Sequence, residues 1–196
     1  MSGAGDVNKD GFDDVIIGAP GVDPSDKLPE AGAVFVVFGR ASFPARIDLG
    51  SLNGTTGFRL NGIAANNRTG VSVAWAGDIN GDGYSDFLIG APDASPGNKE
   101  NIGQAYAVFG RQSFDAVMSL NSLNGANGFQ INGVAAESYA GKVLAGGADL
   151  NRDGYHDIAI SAGNYLAGRS LETGTVYVIF GGNSFSSKFA LGNLNG

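Results

Sequence analysis

At 196 residues, with 43% hydrophobic and 16% charged content, the chain has enough apolar mass to bury a core and too little charge to stay disordered. Its formal charge is −7, and its 12 Lys and Arg are nowhere clustered, which excludes a polyanion-binding surface and with it nucleic acid as a partner. Cysteine is absent, so disulfides, thiolate metal sites and a cysteine nucleophile are excluded too.

The 33 glycines lack the every-third-residue spacing of collagen and come with only 6 prolines, so they read as turn residues between many short strands. Apolar stretches such as Ala33 to Phe38 are far too short to span a bilayer, and no basic segment followed by an apolar one opens the chain.

The first recognisable element is a polar loop, Asp6-Val7-Asn8-Lys9-Asp10-Gly11-Phe12-Asp13-Asp14, which feeds directly into the apolar run Val15-Ile16-Ile17. Gly18-Ala19-Pro20 turns the chain into a Pro- and Asp-bearing surface loop, Gly21 to Glu30. A second apolar run ends at Phe38-Gly39-Arg40 and is followed by Ser42-Phe43, Leu52-Asn53-Gly54 and Gly57-Phe58-Arg59-Leu60-Asn61-Gly62.

A shift of 71 residues brings these motifs onto Phe109-Gly110-Arg111, Ser113-Phe114, Leu123-Asn124-Gly125 and Gly128-Phe129-Gln130-Ile131-Asn132-Gly133. A further shift reaches Phe180-Gly181-Gly182, Ser184-Phe185 and Leu194-Asn195-Gly196. The second unit reads as four short strands, Val71 to Ala76, Phe87 to Ile89, Ala105 to Phe109 and Phe129 to Ile131, and no stretch sustains a helical period. A repeated four-stranded antiparallel sheet is the blade of a β-propeller. The expected fold is therefore all-β, a single array with units at 1–70, 71–141 and 142–196. Ten strands are predicted, less than three whole blades, with the array incomplete at both ends.

The loop recurs as Asp78-Ile79-Asn80-Gly81-Asp82-Gly83-Tyr84-Ser85-Asp86 and Asp149-Leu150-Asn151-Arg152-Asp153-Gly154-Tyr155-His156-Asp157. All three copies fit D-x-N-x-D-G-[FY]-x-D. Oxygen donors on alternate residues converge on one hard cation because the glycine lets the chain reverse sharply around it. On this reading Asp6, Asn8 and Asp10 offer side-chain oxygens, Phe12 its backbone carbonyl, and Asp14 closes the sphere through both carboxylate oxygens. The corresponding sets are Asp78, Asn80, Asp82, Tyr84 and Asp86, and Asp149, Asn151, Asp153, Tyr155 and Asp157.

An EF-hand needs an acid at position 12 and flanking helices; Ile17, Ile89 and Ile160 stand there instead. Magnesium demands tighter geometry and zinc favours His or Cys, which leaves three calcium sites. An Asx-rich hairpin turn would explain one copy, but three copies in register favour the metal. Nine of the 19 acidic residues occupy these positions, and without a cation their carboxylates repel.

With Phe-Gly ending one strand, the aspartate loop joining two others and Gly-Ala-Pro at 18–20 and 90–92, the chain resembles the FG-GAP repeat family, whose best-known members are integrin α-chain propellers. In the third unit Ser161-Ala162-Gly163 replaces Gly-Ala-Pro. The resemblance implies a seven-bladed propeller in an extracellular or cell-surface protein, loop calcium that serves structure, and partner recognition on the propeller surface.

Catalytic signatures are missing: there is no Gly-x-Ser-x-Gly, no His-Glu-x-x-His and no phosphate loop. His156 is expected to face solvent from its loop, and Trp75 to pack between blades. Asn53-Gly54-Thr55 and Asn67-Arg68-Thr69 fit the N-glycosylation pattern. The functional expectation is a non-enzymatic, calcium-stabilised extracellular module for adhesion, for protein or glycan contact, or for self-association through its terminal blades. An accessory part of a secreted hydrolase and a structural subunit of a surface fibre are the alternatives.

Overall fold

The computed structural model describes residues 1–164 and 173–194. Among them are thirteen strands: β1 Ser2–Gly5, β2 Asp14–Ala19, β3 Ala33–Val37, β4 Gly57–Asn61, β5 Ser72–Gly77, β6 Asp86–Ala91, β7 Gln104–Val108, β8 Val117–Ser119, β9 Gly128–Asn132, β10 Leu144–Ala148, β11 Asp157–Asn164, β12 Thr173–Ile179 and β13 Lys188–Ala190. They form three sheets, in the orders β1-β2-β3-β4-β8, β5-β6-β7-β9-β13 and β10-β11-β12. Consecutive strands of each unit pair antiparallel, whereas β8 joins β4 and β13 joins β9 in parallel.

The sheets are β-propeller blades, and the fifth strand of each of the first two is supplied by the unit that follows. That strand closes an outer edge that would otherwise expose unpaired N–H and C=O groups. The ten strands expected from sequence become thirteen, the additions being β1, β8 and β13. The Ser-Gly-Ala-Gly of β1 has no β-branched or aromatic side chain to announce it, and β8 and β13 are three residues long. Each is defined only by the strand it pairs with. β1 adds a short fourth strand to the first blade. The third Leu-Asn-Gly, at 194–196, lies partly outside the described residues.

Two apolar layers fill the spaces between blades. Val34, Val36 and Phe38 of the first blade share one core with Phe87, Ile89, Tyr106 and Val108 of the second. Leu88, Ala105, Ala107 and Phe109 share the other with Ile158, Ile160 and Ile179 of the third. The middle blade is buried on both faces, which is why β6 and β7 read as unbroken apolar runs rather than as alternating ones. The replacement of Gly-Ala-Pro in the third unit also has a visible result. β11 has eight residues against six in β2 and β6, because no proline halts the ladder.

Candidate metal centre

The three aspartate loops fold alike. In the first, the Asp6 carboxylate accepts the N–H groups of Asp10 at 3.0 Å and Gly11 at 2.9 Å, Asn8 Oδ1 accepts Asp10 N–H at 3.1 Å, and Asn8 Nδ2 donates to Asp10 Oδ2 at 2.8 Å. Asp10 Oδ1 accepts the Phe12 N–H at 3.0 Å. The same bonds recur around Asp78, Asn80 and Asp82 and around Asp149, Asn151 and Asp153. The fourth position, Lys9, Gly81 or Arg152, has φ of +60°, +75° or +63°, and the sixth, Gly11, Gly83 or Gly154, +92°, +85° or +93°. Two left-handed residues close together give the loop its tight wrap, and glycine takes the second without cost.

The ninth position behaves differently from the other donors. Asp14, Asp86 and Asp157 are buried. In each, Oδ2 accepts the N–H of the loop's second residue, Val7, Ile79 or Leu150, at 2.7 to 2.8 Å. Oδ1 accepts the N–H of the Phe-Gly glycine, Gly39, Gly110 or Gly181, at 2.8 to 2.9 Å. Both oxygens that the sequence reading reserved for the cation are therefore already engaged, Oδ2 within the loop and Oδ1 with the end of the third strand, each keeping one further lone pair. This link accounts for the Phe-Gly motif. A Cβ at Gly39 would collide with the Asp13 carbonyl, at Gly110 with that of Ser85 and at Gly181 with that of His156.

Burial pushes Asp14 up to about 6 and Asp86 up to about 8; the backbone donors pull both down, and the charges of Asp10 and Asp6, or of Asp82 and Asp78, raise them further. Accepting two N–H bonds suits an ionised carboxylate, while burial beside like charges opposes ionisation. A cation in the loop would relieve that conflict. The donor set, Asp, Asn and Asp side chains with backbone carbonyls, consists of hard oxygens throughout and fits calcium in chemistry. Among the described residues no group of three or more His, Cys, Asp or Glu is gathered closely enough to hold a metal by those side chains alone.

The loops are also chained to one another, which sequence inspection missed. Ser85 N–H donates to the Asp6 carbonyl at 3.1 Å and Arg111 N–H to the Val7 carbonyl at 2.9 Å; His156 N–H donates to the Asp78 carbonyl at 3.1 Å and Gly182 N–H to the Ile79 carbonyl at 2.9 Å. Lys9 Nζ lies 5.2 Å from the centre of the Tyr84 ring. His156, expected in solvent, instead accepts the Asp78 N–H at Nδ1 over 3.1 Å and sits against Trp75, ring centroids 6.1 Å apart. Trp75 does lie between blades, but at their rim and 41% exposed.

Residues 2–37, 69–108 and 140–179 each match the FG-GAP repeat. The chain belongs to the FG-GAP repeat family. It is 32% identical over 157 residues to human integrin alpha-6, covering 80% of this chain and 12% of that one. It is 28% identical over 160 residues to Drosophila melanogaster integrin alpha-PS2, covering 80% and 11%. It is also 30% identical over 182 residues to the phosphatidylinositol-glycan-specific phospholipase D of Dictyostelium discoideum, covering 89% and 19%. The FG-GAP chain thus spans less than a fifth of each of these relatives. Among its described residues no helix is long and apolar enough to cross a membrane.

Proposed function

We propose that the chain is a non-enzymatic, calcium-stabilised FG-GAP module that works outside the cell or at its surface and presents a face for contact with a protein or a glycan. The observation that carries this reading is the threefold recurrence of one oxygen-rich loop at the joint between blades, where a cation would brace both the loop and the blade behind it. Calcium would be held by Asp6, Asn8, Asp10, Phe12 and Asp14 and by their counterparts in the other two loops, and would supply charge neutralisation rather than reactivity. Millimolar calcium outside cells fills even sites of modest affinity.

The contact face lies at the opposite end of the sheets. β2 leaves the metal loop at Asp14 and ends at Ala19, and Asn61 stands opposite Ala33, the far end of β3 from Gly39. Two clefts open there, of about 390 Å³ beside Ser25, Asn61, Ser119 and Asn121 and about 310 Å³ beside Asn67, Ser95 and Gln104. Amides and hydroxyls of this kind suit hydrogen bonding to peptide groups or sugar hydroxyls. The phospholipase among the relatives supports the second reading, an accessory part of a secreted hydrolase.

Calorimetric melting with excess calcium and with excess chelator tests the metal. A site held at one hundred times its Kd adds about 2.7 kcal/mol, so the calcium-loaded protein melts higher. Superimposable curves would remove calcium from this reading.

A further inference from the structure

One run of hydrogen bonds joins the buried ninth-position carboxylates of the three loops. Asp14 Oδ2 accepts the Val7 N–H at 2.8 Å, and the Val7 carbonyl accepts the Arg111 N–H at 2.9 Å. Gly110, one residue earlier, gives its own N–H to Asp86 Oδ1 at 2.8 Å. Two consecutive amides of the second unit thus point opposite ways, one to their own loop and one to the loop before. The same step leads onward: Asp86 Oδ2 accepts Ile79 N–H at 2.7 Å, the Ile79 carbonyl accepts Gly182 N–H at 2.9 Å, and Gly181 N–H reaches Asp157 Oδ1 at 2.9 Å. Leu150 N–H ends the run on Asp157 Oδ2 at 2.7 Å.

A second tie runs beside the first. The carbonyls of Asp6 and Asp78, the first donors of their loops, accept the N–H groups of Ser85 and His156, which stand between the seventh and ninth positions of the next loop. The fourth residue of each loop also meets the seventh of the next. Lys9 lies over the Tyr84 ring, and the Tyr155 ring lies against Gly81, where a Cβ would stand 2.6 Å from Cε1.

Fixing a loop in one conformation costs backbone and side-chain entropy. When Asp6, Asn8 and Asp10 are drawn onto a cation, the Asp6 and Val7 carbonyls are fixed with them, and these hold the part of the second loop that carries its last two donors. The second loop then has less left to order, which gives positive cooperativity without any change of fold. Repulsion between neighbouring cations acts the other way and is screened by salt.

We propose that the three loops take up calcium cooperatively, each filled loop raising the affinity of its neighbours through the Val7–Arg111 and Ile79–Gly182 bonds. The inference rests on the reading of the loops as calcium sites and adds that they do not act alone. Coupling is reciprocal, so the middle loop, tied on both sides, governs the other two.

The test is a calcium titration of the full chain followed by NMR at the Gly11, Gly83 and Gly154 amides. Each donates to the first aspartate of its own loop and so reports that loop. In the parent protein the three amides should respond more steeply than one isolated site. Asp82→Ala disables the middle loop at an exposed position, with the β6 amides as the check that the fold is kept. Half-saturation at Gly11 and Gly154 should then need about 5-fold more calcium or beyond. That difference should persist as salt is raised, whereas the mere loss of the Asp82 charge would fade. Unchanged half-saturation at Gly11 and Gly154 overturns the proposal, and so does a difference that disappears in high salt. Either result leaves the calcium sites standing. Absence of any calcium-dependent shift in the parent protein overturns the proposal and the calcium reading together.

Discussion

The ring of Phe114 lies flat on that of Phe58, with planes 7° from parallel, although the two belong to different blades. Phe58 is fully buried and also meets Phe38 and Phe87 at 5.7 and 6.3 Å between centroids. Truncating it removes buried area and leaves a cavity between rigid sheets, so Phe58→Ala should cost about 3–5 kcal/mol. Phe43→Ala, at the half-exposed counterpart of Phe114, should stay within about 0.5 kcal/mol. Equilibrium urea unfolding of the two variants checks the contrast, and equal losses would contradict the exposure of Phe43.

Gly54 and Gly11 share a left-handed backbone, at φ +89° and +92°, but differ in surroundings. Nothing lies within 4 Å of a Cβ built on Gly11, while one on Gly54 meets the Phe114 carbonyl. Gly11→Ala should therefore lose only the conformational penalty, about 1–2 kcal/mol. Gly54→Ala should lose more, because the joint between the first two blades must open to admit the methyl group. Denaturation midpoints in chelator would measure both without interference from metal binding.

Acid should stabilise the calcium-free protein. The carboxyls of Asp14 and Asp86 titrate near 6 and 8 when folded, against 3.8 for the ordinary group. Between those values the native state holds protons that the unfolded chain has released, so stability falls as pH rises through 6 and then 8. In chelator the melting temperature should drop from pH 5 to pH 8.5, and saturating calcium should flatten that slope by favouring the ionised carboxylates. A rise with pH in chelator would contradict the burial-driven shift.

Asp82→Ala removes one oxygen donor from the second loop without touching the buried Asp86 link. If each loop holds one calcium ion, as proposed, titration calorimetry should count one ion fewer per chain for this variant than for the parent protein. An unchanged count would show that the fifth position is no ligand.

The two N-glycosylation patterns separate once the fold is known. Asn53 is exposed, and its Oδ1 accepts the Thr55 hydroxyl at 2.8 Å, whereas Asn67 is only 7% exposed. Sequence spacing treated them alike because burial here depends on how the loop at 62–71 meets the next blade.

What the sequence by itself determined is what repeats locally: the 71-residue period, the alternation of donors in each loop, the glycine at its sixth position and the apolar strands that follow. These features depend on backbone conformation and side-chain chemistry within a few residues, so they are legible without a fold. Tertiary structure decided what arises only when units meet. It supplied β8 and β13, the Phe58–Phe114 stack, the chain of bonds from loop to loop, and the engagement of Asp14, Asp86 and Asp157 by a glycine 24 or 25 residues away. A three-residue strand has no propensity to speak of, and a carboxylate gives no sign in sequence of which distant N–H it will accept. Both are fixed by the partner, and the partner is brought there by the packing of one blade on the next.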